Sequence, residues 1–139
     1  MQHYKTGNTY FVRLDVGEEI MASLTQFCKQ EDIRLGSVTA IGAVSHAVTG
    51  LYNVADQKYY STRLEGPQEL VGLMGNITRK DGEVYIHVHA SFSDSEHKIH
   101  GGHLNEAVIS ATCEMVVTCY EGEVGRRVCP DVGLNILDI

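Results

Sequence analysis

The sequence predicts an α+β fold in which one main N-terminal helix is followed by a meander of strands that builds a largely antiparallel sheet. Three observations carry this. A single apolar stripe at helical spacing lies between residues 18 and 30. From Gly36 onward, β-branched and aromatic runs alternate with glycines and short polar breaks. At 139 residues, with no Pro-rich or Gly/Ser-rich linker, the chain is one domain spanning 1–139.

Thr9–Leu14 reads as the first strand, ended by Gly17. Glu18–Gln30 follows as the helix, because Ile20, Leu24, Phe27 and Cys28 recur on one face. Glu18 and Glu19 at its start and Lys29 near its end suit the helix dipole. Five β-rich runs come next: Ser37–Val44, Ala47–Val54, Tyr59–Glu65, Gln68–Thr78 and Val84–Phe92. Asp81-Gly82 marks a tight hairpin between the last two. A second short helix is expected near Asn105–Ile109. Val108–Tyr120 is read as a strand for its Val, Ile and Thr content, and Leu134–Leu137 as the last one.

Composition narrows the function classes. Apolar residues make up 43% and charged residues 21%, which is globular rather than disordered. Met1-Gln2-His3-Tyr4-Lys5 lacks the pattern of a signal peptide and no run is long enough for a membrane helix, so a cytoplasmic protein with no membrane partner is expected. The formal charge is −7, and the adjacent basic pairs are Arg79-Lys80 and Arg126-Arg127. Nucleic-acid binding needs clustered cations that neutralise phosphates, so any such partner is expected to be held weakly. Cys28, Cys113, Cys119 and Cys129 form no CxxC pair; Cys113 and Cys119 lie in an apolar run as small core residues.

The chemistry concentrates in histidine. Five of the seven histidines fall between His87 and His103. In Val84–Phe92, Val84, Ile86, Val88, Ala90 and Phe92 alternate with Tyr85, His87, His89 and Ser91. The first set suits a core; the second puts two imidazoles on one side of a strand, about 7 Å apart at Cα. Two such rings either stand half-exposed or converge on one metal. A third ligand must come from His97, His100 or His103. Gly101-Gly102 before His103 permits the close approach that an inward-turning ring needs.

The runs His87-Val88-His89-Ala90-Ser91-Phe92-Ser93-Asp94 and Gly101-Gly102-His103-Leu104 resemble the signature of the plants-and-prokaryotes conserved domain family. The similarity extends through Gly17–Ile20, Val38–Val44 and Glu65–Leu70, about residues 5–138. It implies an α+β fold with a strongly curved sheet, a homotrimer, and zinc or another divalent metal on His87, His89 and His103. It also implies a DNA-associated role, inferred for plant members from their AT-hook peptides. This chain has no AT-hook, whose Arg-Gly-Arg core enters the minor groove. A distant likeness in fold to acetolactate decarboxylase, a zinc enzyme, is weak evidence for chemistry.

Glu69 and Glu114 lie in apolar runs. Each either faces solvent or pairs with a basic group, or stands beside the metal to orient a histidine or act as a base. Tyr85 and Ser91 share the histidine face and could donate to a bound ligand. Three functions follow: a metal-stabilised trimer with a regulatory or DNA-associated binding role, a zinc-dependent enzyme acting on a small molecule, or a purely structural site. The first is expected from the resemblance; the residues do not separate them.

Overall fold

The computed structural model describes residues 1–139. Its elements in order are β1 (Gln2–Thr6), β2 (Thr9–Leu14), α1 (Ile20–Gln30), β3 (Gly36–Asn53), β4 (Lys58–Lys80), β5 (Glu83–Ser93), β6 (Ile99–Cys119), β7 (Gly125–Cys129) and β8 (Leu134–Asp138). The helix forms where its stripe predicts. Ile20, Leu24, Phe27 and Cys28 are its buried residues, and the Glu19 carboxylate caps it by accepting from the amides of Met21 and Ala22.

The α+β expectation is overturned. The protein is mostly β, and α1, with 11 residues, is an accessory to a curved antiparallel sheet rather than its counterpart layer. Two local signals point away from the structure that forms. Ser45 and Gly66-Pro67 look like strand breaks, yet β3 and β4 run through them as long strands. The register slips between Val44 and His46 opposite Glu65 and Gln68, so the polar residues and the positive-φ Gly66 bulge out while pairing continues. The expected helix at 105–109 is also strand: Glu106, Ala107, Val108 and Ile109 pair with Val48, Ala47, His46 and Val44. Tertiary pairing overrode a weak local preference there. The hairpin at Asp81-Gly82 forms as read, with positive φ at both residues.

The main sheet has the order β1-β2-β6-β3-β4-β5, and β5 also pairs with the first part of β6. Strands β6, β3, β4 and β5 therefore close into a ring. One face of it holds the core, with Val38, Leu73, Val88, Phe92, Leu104 and Met115 among the buried residues, and α1 packs there against β5 and β6. The other face is outward. A continuous row crosses it through directly paired residues: Phe11 on β2, Val116 on β6, Thr39 on β3, Met74 on β4 and His89 on β5. Cys28 and Cys113 are buried, and burial pushes both thiols up to about 12, as inert core residues require. No helix is long and apolar enough to cross a membrane.

Candidate metal centre

Alternation along β5 turns Val88, Ala90 and Phe92 into the core and leaves Tyr85, His87 and His89 on the outward face. Closure of the ring brings the third imidazole. His103 on β6 is the direct antiparallel partner of His89 and also pairs with Gly50 on β3. The preceding glycines make the seam. A Cβ on Gly101 would lie 2.3 Å from the Ala90 carbonyl oxygen, and one on Gly102 2.6 Å from that of Gly50. Neither neighbouring strand could come so close to any other residue.

The three rings point together. One nitrogen from each lies within 4.8 Å of the other two, and Nε2 of His87 and His89 are 3.3 Å apart. Ring centroids stand 5.2–5.5 Å apart. No carboxylate hydrogen-bonds to any of them. Burial lowers the pKa of His87 below the ordinary imidazole value, helped by the charges of His103, Arg126 and His89. Burial, then His89, lowers that of His103. The His87 and His103 rings are thus biased towards the neutral state, in which imidazole offers a lone pair to a metal. This donor set fits a divalent cation.

The triad forms the floor of a cavity of about 470 Å³ whose walls include Tyr52, Tyr59, Tyr85, Leu134 and Asn135. Tyr59 packs on the bare Cα of Gly50, donates its hydroxyl to Asn105 and meets His103 edge-on. The β7–β8 hairpin supplies Leu134 and Asn135. It is fastened by Arg126, which donates to Thr78 Oγ1, Asn76 Oδ1 and the Asn135 carbonyl while its guanidinium lies 4.4 Å from the Tyr85 ring centre.

Of the other residues singled out by sequence, Tyr85 joins the cavity. Ser91 donates to the Gly72 carbonyl and is not in its lining. Glu69 lines a separate depression with Ser93 and Asp94, and Glu114 another with Phe11, Arg13 and Ile41. His100 bonds to Asp94, and His97 occupies a turn with positive φ. Tyr52, Tyr59 and Asn135 carry no sequence signal as cavity residues, and Arg126 none as the residue that fastens the wall behind them, since only ring closure and the hairpin bring them there.

Residues 1–121 match the model of the Plants and Prokaryotes Conserved (PCC) domain. The chain belongs to that family. Among solved structures, it is similar to a candidate DNA-binding protein from Bacteroides thetaiotaomicron, at 33% identity and a TM-score of 0.96 over 99% of this chain and 96% of that one. It is also similar to a metal-containing protein from Archaeoglobus fulgidus, at 29% identity and a TM-score of 0.90 over 98% and 96%. A curated relative, the bifunctional protein GlmU of a Synechococcus species (strain JA-3-3Ab), is 30% identical over 94% of this PCC chain. The chain spans only 20% of that relative's length. The likeness to acetolactate decarboxylase of Bacillus subtilis, at 13% identity and a TM-score of 0.61 over 93% of this chain and 60% of that one, is one of fold alone. The β7–β8 hairpin lies outside the residues matched by the family model.

Proposed function

We propose that this PCC protein holds a divalent metal, zinc being the ion that three imidazoles suit best, on His87, His89 and His103, and acts there on a small molecule. One observation carries the reading: three mutually facing imidazoles, free of carboxylate partners, form the floor of an open cavity. A structural site would be closed by a fourth protein ligand, and the four-residue pattern is absent from this group. A bound ion would supply Lewis acidity and an exchangeable coordination position facing the cavity. The tyrosine walls would hold the carbon skeleton of a ligand and exclude water around it. The metal-containing relative supports the same reading.

Elemental analysis of tag-free protein tests it. About one zinc or similar ion per chain is expected, and His103→Ala should weaken retention by more than the roughly 10–100-fold typical of outer-shell changes. Unchanged metal content in a triple-alanine variant overturns the assignment.

Self-association, as a homotrimer, belongs to the same proposal. Phe11, Ile41 and Met74 are large apolar residues exposed on the outward face, and Met74 is the register neighbour of His89. An apolar strip of this kind calls for cover, and copies seated on it would abut the metal centre.

A regulatory or DNA-associated role is the second reading, favoured by the candidate DNA-binding relative. Charge opposes it. The two basic loops do meet, since Arg126 donates to Thr78 and Arg79 N–H to the Val124 carbonyl. Yet Arg79 pairs with Asp32, Lys80 with Asp81 and Arg127 with Asp138.

A further inference from the structure

We infer that the cavity over the three histidines takes a small organic oxyanion, a carboxylate or a phosphate monoester, and that Arg126 is the residue that makes it select negative charge. The inference rests on the metal-centre reading above and deepens it.

The chain carries 18 Asp and Glu residues, yet none lines this cavity. Three neutral imidazoles leave the charge of a divalent ion wholly uncompensated. In a protein of formal charge −7, a site with no acidic wall stands out as the place where a ligand must bring the negative charge.

Arg126 supplies the second, independent observation. Five of the six arginines form ion pairs: Arg13 with Asp15, Arg34 and Arg79 with Asp32, Arg63 with Glu65 and Arg127 with Asp138. Arg126 has no carboxylate partner, although it is half-buried. Its guanidinium is oriented by neutral acceptors alone: 2.9 Å to Thr78 Oγ1, 2.6 Å to Asn76 Oδ1 and 3.1 Å to the Asn135 carbonyl. A partly desolvated cation left unneutralised costs stability. A neutral amide, with two N–H donors, could hold two of these three acceptors without that cost.

The place of the charge explains its retention. The guanidinium lies against Tyr85 and is bonded to Asn135, both of them cavity residues. Its field therefore enters the cavity from behind the wall, adding to that of the ion. Arg126 acts as a positioning residue through charge, without touching the ligand. A volume of about 470 Å³ suits a small molecule, and the Tyr and Leu walls suit its carbon skeleton.

The test uses the full chain loaded with Co²⁺, whose visible spectrum reports ligand coordination. Sodium acetate, methyl phosphate and acetamide are titrated in turn, with metal content measured on the same samples. At least one oxyanion should bind about ten-fold or more tighter than acetamide; which one does identifies the oxyanion class. Arg126→Gln should lower oxyanion affinity several-fold and leave acetamide unchanged, and Arg126→Lys should restore most of the preference. Equal affinity for oxyanions and acetamide in fully loaded protein overturns the inference and spares the metal reading. So does an Arg126→Gln variant that weakens all probes alike, the mark of a merely structural pin. Wild-type protein that holds no ion overturns both. Should the glutamine variant fail to fold, the wild-type contrast between oxyanion and amide decides.

Discussion

His89 and His103 stand directly opposite each other on neighbouring antiparallel strands, β5 and β6, and this single register pair brings the third imidazole to the other two. It exists only because the first part of β6 pairs with β5 while the rest of the strand pairs with β3, which closes the ring. The centre is therefore as sensitive to the seam between strands as to its own ligands.

Substitution at the seam should uncouple the histidines. In Gly101→Ala the new Cβ would lie 2.3 Å from the Ala90 carbonyl oxygen, so backbone must shift. Thermal melts should show a loss of about 1–3 kcal/mol, with metal affinity falling alongside. Gly125→Ala, which meets nothing within 4 Å, is the control and should be near neutral. Full metal affinity in a destabilised Gly101→Ala chain would separate the seam from the centre and refute this.

Acid should destabilise the metal-free chain through His87 and His103. Both pKa values are lowered in the fold, His87 chiefly by burial and then by His103, Arg126 and His89, and His103 by burial and then His89. The unfolded chain then binds protons more readily. Their contribution is fully present above the ordinary value of 6.5 and is lost as pH falls through the lowered folded values. Melts of metal-free protein across that window should show the decline, and bound metal should move it to lower pH because the ion competes with protons. A His87→Gln/His103→Gln double variant with the wild-type pH profile would rule these two residues out as its source.

Light scattering should give about three times the chain mass of 15.3 kDa. Met74→Asp places a charge in the exposed apolar strip beside His89 and should shift the protein towards monomer. A wild-type monomer at micromolar concentration counts against the trimer and against the strip as its interface.

Binding to random duplex DNA should be weak, with a dissociation constant above about 10⁻⁵ M near physiological salt. The formal charge is −7, and Arg79, Lys80 and Arg127 are each paired with a carboxylate. Sub-micromolar binding with a steep salt slope that flattens in Arg126→Ala/Arg127→Ala would promote the DNA-associated reading over the small-molecule one.

Periodicity alone located α1 and the inward and outward sets of β5, because burial of one stripe or one alternate face is written directly into residue order. Ile20, Leu24, Phe27 and Cys28 are buried as spaced, and Val88, Ala90 and Phe92 turn inward while His87 and His89 turn out. Gly101-Gly102 also marked His103 for a local reason, the need for close approach. What the order of residues left open depends on contacts between distant segments. Bulges at Ser45 and Gly66-Pro67 resemble breaks, since a bulge and a turn use the same residues, so residue order understates the length of β3 and β4. The closing pair of β5 and β6, the tyrosine wall and the unpaired Arg126 arise only when strands far apart in sequence meet. Local sequence determined which side chains could bind a metal; the tertiary structure decided that they face one another, because inter-strand register is set by packing of the whole ring and not by any one strand.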